Sequence, residues 1–116
     1  MIRTIAALTI VPGVLGHMAI AYCDPAAMPD LKDPTVISAG RDLYRGKHCS
    51  HCHGRDGNGG VSLTKRDLRD PKDVFEAIAD GREKGGLRMP AGRGVLTNAE
   101  IWEAVAYVMS LTQVPK

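Results

Sequence analysis

The chain has 116 residues and a formal net charge of +2, with 15 Lys and Arg against 13 Asp and Glu. Its length predicts a single domain, and so small a positive excess excludes the strongly basic composition of a nucleic-acid-binding protein. One Phe and one Trp offer few large side chains for a core, so a buried prosthetic group would supply much of the missing apolar surface.

The first 21 residues have the pattern of a targeting segment. Arg3 precedes a run from Ile5 to Ala21 without a charged residue, and Ala19 and Ala21 are small residues at the positions that a signal peptidase reads. Residues 1–21 are therefore predicted to be a secretory signal peptide, cut after Ala21. The alternative is a retained membrane anchor, although a run of this length lies at the lower limit for crossing a bilayer and contains Pro12.

Residues 22–34 are predicted to form an extended linker, because three prolines stand there among polar residues. The linker contains Cys23. With the other two cysteines assigned to a motif described below, Cys23 has no partner for an internal disulfide, and we expect a free or intermolecularly paired thiol.

A first helix is predicted after this linker. Asp33 is a suitable N-cap, Pro34 fits the first turn, and apolar residues recur at helical spacing up to Gly46. Gly40 lies in the middle of this helix, where glycine costs about 1 kcal/mol relative to alanine. We therefore expect Gly40 to permit the close approach of another helix.

Five consecutive residues, Cys49-Ser50-His51-Cys52-His53, form the attachment signature of a c-type haem. Two thiols at this spacing can reach both vinyl groups of one haem edge from a single helical turn, and the following histidine can lie beneath the iron as proximal ligand. The alternatives are half of a zinc site and a redox dithiol. A zinc site requires a second pair of ligands at similar spacing, and a redox dithiol follows a strand in a βαβ pattern; the sequence has neither.

The remaining elements are predicted to be helices and loops. A glycine-rich turn covers residues 54–60, a second helix begins at Asp70-Pro71 and ends at Asp80-Gly81, and four glycines and a proline make residues 85–94 a loop. Thr97 and Glu100 are spaced as a capping box for the last helix.

The last helix is predicted to cross the first one, with Tyr44, Trp102 and Tyr107 near the contact. No segment has a persuasive strand pattern. The predicted fold class is all-α, a small helical domain over residues 35–116 that is wrapped around one covalently bound haem.

Several motifs resemble, in this order along the chain, those of the small bacterial class I cytochromes c: Gly40-x-x-Leu43-Tyr44, the haem motif with Gly54, Met89-Pro90, Leu96-Thr97-x-x-Glu100-Ile101 and Val105-Ala106-Tyr107-Val108. The resemblance covers residues 36–111. It implies a monohaem electron carrier whose haem is attached outside the cytoplasm, which agrees with a secretory signal and a periplasmic location. In this family a proline soon after the haem motif commonly presents its carbonyl to the haem histidine. This chain has no proline between His53 and Pro71, so the partner of His53 is not predicted.

Met89 is the candidate for the sixth iron position. Among the five methionines, only Met89 lies in a glycine-rich loop after the haem motif, directly before a proline. A Met/His pair raises the reduction potential and closes the iron to other ligands. His48 and His51 compete for this role but lie on or beside the attachment turn. Three basic residues are candidates for neutralising the haem propionates, namely Lys65, Arg66 and Arg69.

These residues predict an electron carrier and not an enzyme. The carrier would pass one electron between a periplasmic dehydrogenase or membrane redox complex and an acceptor. Its partners would be redox proteins, such as an oxidase or a membrane redox complex. The region from Gly86 to Leu111 also resembles the small cytochromes that accompany quinoprotein alcohol dehydrogenases, and this resemblance implies such an enzyme as a candidate donor. One alternative is a cytochrome subunit of a respiratory or photosynthetic complex, anchored to the inner membrane by residues 2–21 and facing the periplasm. Another is an open-iron haem enzyme or gas sensor, which a distal Met89 disfavours.

Overall fold

A computed structural model describes residues 27–112. The predicted signal peptide, Cys23 and the first part of the predicted linker, residues 22–26, lie outside the described residues. The end of the linker differs from an extended chain, because the amide of Asp33 donates to the carbonyl of Asp30 at 3.2 Å and closes a turn. This turn brings Leu31 against the hydrophobic core, so the last residues of the predicted linker pack with the domain.

The first helix, α1, covers Pro34–Gly46. The Asp33 carboxylate accepts a hydrogen bond from the amide of Thr35 at 2.8 Å, and Pro34 occupies the first turn, where its missing N–H costs nothing. A short second helix, α2, follows at Cys49–His53 and contains the haem motif. The third helix, α3, covers Pro71–Asp80 and has the same start, with Asp70 as N-cap and proline at the first helical position.

The last helix, α4, covers Asn98–Ser110 and begins with the predicted capping box. The Thr97 hydroxyl accepts from the amide of Glu100 at 3.2 Å, and the Glu100 carboxylate accepts from the amide of Thr97 at 2.7 Å. Two backbone donors that the helix itself cannot satisfy are therefore paired.

Helices α1 and α4 pack directly against each other at Gly40. A Cβ built at Gly40 would overlap the backbone carbonyl of Glu103 in α4, so glycine is required there, as its mid-helix position predicted. Beside this contact the rings of Tyr44 and Tyr107 meet edge to face, with centroids 5.1 Å apart. Trp102 instead stacks on Phe75 of α3, with ring centroids 4.4 Å apart, and so joins α3 to α4.

A β-hairpin, which the sequence analysis did not predict, replaces part of the loop expected at residues 85–94. Strand β1, Arg82–Lys84, pairs antiparallel with strand β2, Leu87–Met89. Gly85 and Gly86 connect them with φ angles of 59° and 80°, the left-handed values that a two-residue hairpin turn requires. The prediction missed these strands because each has three residues, too few to display alternation. A Gly-Gly pair between them was the available signal.

The all-α class is confirmed, with this hairpin as the one strand pair of the described residues. The largest fully buried side chains of the described residues are those of Tyr44, Ile101 and Val105. Tyr44 belongs to α1 and the other two belong to α4, so the core lies where these helices meet. Within residues 27–112 no helix is long and apolar enough to span a membrane.

Candidate haem attachment site

The two thiols of the motif lie on the single helical turn of α2, and both are free. Cys49 is half-buried and packs against the core cluster, whereas Cys52 is exposed. Burial raises the pKa of the Cys49 thiol, so this thiol is protonated at neutral pH. One thiol therefore lies at the core and the other at the surface, and both are on the turn that would hold a covalently attached group.

His53, directly after the second thiol, is held in one orientation by a backbone carbonyl. Its Nδ1 lies 2.7 Å from the carbonyl oxygen of Val61, and as the only donor of this pair it must carry the proton. The amide of Val61 in turn donates to the carbonyl of Cys52 at 3.1 Å. With Nδ1 engaged by this carbonyl, Nε2 is the ring nitrogen left to bind a metal, the usual arrangement of a metal-ligating histidine. Val61 is thus the partner that sequence reasoning did not name.

The glycine-rich segment between these residues permits this contact. Gly54 has φ 79°, and its backbone and that of Gly59 approach so closely that a Cβ on Gly59 would lie 2.6 Å from the Gly54 nitrogen. The amide of Gly59 donates to the carbonyl of His53 at 2.8 Å. A side chain at either glycine would push the chain outward and move Val61 away from the histidine.

Tyr44 joins α1 to the same turn. Its hydroxyl donates to the carbonyl of Gly54 at 2.6 Å, and its ring is 2% exposed. Burial raises the pKa of Tyr44 to about 12, with a smaller contribution from nearby Tyr107. The core helix therefore anchors the residue that immediately follows His53.

Met89 lies at the base of the hairpin rather than in an irregular loop. It ends β2, faces Arg82 in the strand register and is half-buried, whereas Leu87 in the same strand is 66% exposed. Gly81, with φ 73°, lets the backbone of Met89 pass closely, because a Cβ at Gly81 would meet the Met89 carbonyl. The backbone at Met89 is therefore held more firmly than in a flexible loop.

The three candidates for propionate contacts are all exposed. Arg66 and Arg69 line a cavity of about 360 Å³ together with Met109 of α4, and Lys65 does not line it. Arg69 is paired with Asp67 through two hydrogen bonds of 2.8 and 2.6 Å, which holds the pKa of that carboxyl at about 2. Arg66 and Arg69 thus lie together at one cavity, and Arg69 is already engaged by a carboxylate.

The two other motif-region histidines face each other. The Nδ1 of His48 lies 3.4 Å from the Nε2 of His51, and both side chains are exposed. Within the described residues no group of three or more His, Cys, Asp or Glu side chains could hold a metal ion.

The donor set fits a covalently attached haem. Two free thiols lie on one helical turn, an imidazole is fixed through its Nδ1 so that Nε2 is left to bind a metal, and a thioether lies on a hairpin beyond them. This fold and site define a small c-type cytochrome domain.

The chain belongs to the family described as cytochrome c oxidase, cbb3-type, subunit III, which it matches over residues 35–108. It is also 32% identical over 92 residues to the "Cbb3-type cytochrome c oxidase subunit FixP" of Sinorhizobium medicae, an alignment that covers 69% of this chain and 32% of the relative. The chain thus spans about a third of the length of this relative. No solved structure matches it.

The family confirms the predicted resemblance to small c-type cytochromes. It also confirms the predicted cofactor, covalently bound haem c, and the general function of electron transfer.

Proposed function

We propose that the domain carries one haem on Cys49 and Cys52, with His53 and Met89 as the axial ligands, and transfers single electrons without binding a substrate at the iron. The observation that carries this proposal is the hydrogen bond from His53 Nδ1 to the Val61 carbonyl, 2.7 Å long, next to two free thiols on one turn. When bound, haem supplies one-electron chemistry. The Val61 carbonyl would orient the imidazole of His53 on the proximal side of the haem, and Met89 would occupy the distal side.

Covalent attachment is tested by acid-acetone extraction and intact mass of the purified holoprotein. The haem should stay with the polypeptide after denaturation, and Cys49→Ala or Cys52→Ala should leave mostly unfolded apoprotein, because haem completes a core of few large side chains. Ser50→Ala, between the two cysteines, is the matched control and should keep its haem. Extraction of the pigment from the wild type would refute the attachment.

The distal role of Met89 is tested by Met89→Ala. Loss of the thioether should lower the reduction potential, abolish the near-infrared sulfur-to-iron band of the oxidised protein, and let carbon monoxide bind the reduced protein readily. Met28→Ala is the control, because Met28 is 53% exposed and precedes the first helix. Rapid carbon monoxide binding by the wild type would contradict the assignment and favour the open-iron alternative.

We also propose Arg66 and Arg69 as the residues that neutralise the propionates, with Lys65 as a less favoured third candidate. Both arginines line the cavity that Met109 also lines, and Arg69 can exchange its exposed Asp67 partner for a propionate. Arg66→Gln and Arg69→Gln should each lower the reduction potential, because a positive charge near the haem disfavours the oxidised iron. Lys65→Gln, which leaves the cavity lining intact, should change the potential least.

The proposed physiological partner is a respiratory oxidase of the cbb3 type, either as a complex of which the chain is a subunit or as an acceptor that it meets by diffusion. Family membership supports this partner. A quinoprotein alcohol dehydrogenase is kept as a candidate donor on the sequence resemblance alone. Purification of the full chain from its native membranes and periplasm distinguishes the cases: co-purification with an oxidase supports the subunit, and recovery from the periplasmic extract supports the carrier.

The proposed location is the periplasm, with residues 1–21 removed; the alternative keeps these residues as an anchor in the inner membrane, with the domain facing the periplasm. Sequencing the N-terminus of the recovered protein tests this. A chain that begins at Tyr22 indicates a cleaved signal, and a chain that retains Arg3 and sediments with membranes indicates an anchor.

A further inference from the structure

The hairpin that ends at Met89 is attached to α3 on both sides of this residue. Before it, Arg82 in β1 forms an ion pair with Asp73 in the first turn of α3 and also donates to the Asp73 carbonyl at 3.2 Å. After it, Arg93 forms an ion pair with Asp80, the last residue of α3, at 2.7 Å. These two contacts, Asp73–Arg82 and Asp80–Arg93, are called the hairpin ion pairs below.

Backbone contacts reinforce the second attachment. The amides of Gly92 and Arg93 donate to the carbonyls of Ile78 and Ala79 at 2.8 and 3.0 Å. These carbonyls lie in the last turn of α3, where a helix leaves its acceptors unsatisfied. The chain therefore returns to the end of α3 three residues after Met89.

The second ion pair is also connected to the core. The guanidinium carbon of Arg93 lies 5.9 Å from the centroid of the Phe75 ring, within the range of a cation–π interaction. Phe75 stacks on buried Trp102 of α4. The Asp73–Arg82 pair lies closer to Met89, because Arg82 is directly opposite Met89 in the strand register.

We propose that the hairpin ion pairs position Met89 at the iron, so that the thioether leaves only when the hairpin separates from α3. The proposal rests on the distal role of Met89 proposed above. Asp73, Asp80, Arg82 and Arg93 are positioning residues in this scheme, and none of them ligates the iron. The side chains of all four residues are about half exposed. Each ion pair therefore stabilises the closed hairpin by as much as a well-formed ion pair on a protein surface.

The test is an imidazole titration of the oxidised holoprotein, followed by the near-infrared thioether band. Imidazole takes the sixth position only in molecules whose thioether has left, so its apparent affinity reports how often the hairpin opens. Asp80→Asn and Arg82→Gln should each raise the apparent imidazole affinity about 1.5- to 5-fold, as expected for the loss of one exposed ion pair. The double variant should show close to the product of the two increases.

Two further variants keep the test specific. Asp42→Asn removes an exposed carboxylate whose partner, Arg41, lies beside it on α1 and outside the hairpin, so it should leave imidazole affinity unchanged. Asp80→Arg combined with Arg93→Asp reverses the second pair and should return the affinity toward the wild-type value. An Asp42→Asn effect equal to that of Asp80→Asn, or no effect of any hairpin variant, would overturn the proposal.

Failure of the ligand assignment gives a different result. If Met89 is not the ligand, the band survives Met89→Ala in the wild-type background, and both proposals fall together. If Met89→Ala abolishes the band but the hairpin variants bind imidazole as the wild type does, only the positioning role is refuted.

Discussion

Replacement of Gly40 by alanine should destabilise the domain at the contact between α1 and α4. A Cβ at this position would lie 2.5 Å from the carbonyl carbon of Glu103 and 3.0 Å from the Cβ of Tyr107, where ordinary contacts begin at 3.4 Å. The helices would have to separate by roughly 1 Å, because a helix carbonyl cannot rotate away. That separation would loosen the packing of Tyr44 and Val105 beside it.

The magnitude follows from two opposing terms. Overpacking against a rigid neighbour costs typically 1–3 kcal/mol, and backbone overlap puts Gly40→Ala near the upper end of about 3 kcal/mol. Alanine recovers about 1 kcal/mol through its better helix propensity. The expected net loss is therefore about 2 kcal/mol of unfolding free energy.

Gly46→Ala in the same helix is the matched control, because nothing lies within 4 Å of a Cβ built there. This variant should gain up to about 1 kcal/mol. Thermal unfolding of both oxidised holoproteins, followed by far-UV circular dichroism, should then separate their midpoints by roughly 10–20 °C for a domain of this size. Equal midpoints would refute the close-packing account of Gly40.

Three further results are expected. Tyr44→Phe should cost about 1 kcal/mol, because the carbonyl of Gly54 loses its 2.6 Å hydrogen bond from Tyr44 and keeps the longer one from the amide of Gly57 at 3.3 Å, and chemical denaturation measures this loss. Since the pKa of Tyr44 is raised from its usual 10 to about 12, its ionisation is less favourable in the folded state; its contribution to stability is complete below pH 10 and disappears as the pH rises to 12. A pH series of unfolding midpoints should therefore fall less steeply across this window in Tyr44→Phe than in the wild type, and parallel curves would contradict the assignment. Thr97→Ala should lower the unfolding free energy by about 1 kcal/mol through loss of the capping box, whereas Thr35→Ala, at an exposed position of α1, should not lower it.

The cofactor and most of the helices could be predicted from the sequence alone because their signals are local. The spacing of Cys49, Cys52 and His53 specifies haem attachment within five residues, and the caps at Asp33, Asp70 and Thr97 are each defined within one helical turn. Gly40 was also informative, since a glycine in a helix interior requires a reason in its packing.

Only the tertiary structure decided how the ligands are held. The acceptor for His53 is the backbone carbonyl of Val61, and since every residue carries such a carbonyl, no side chain marks the one that the fold brings within 2.7 Å. The hairpin before Met89 was missed because three-residue strands show no periodicity, and their pairing depends on two glycines with positive φ. Its attachment to α3 pairs residues 9 and 13 positions apart, a separation at which charges in a sequence carry no information about contact until the chain is folded.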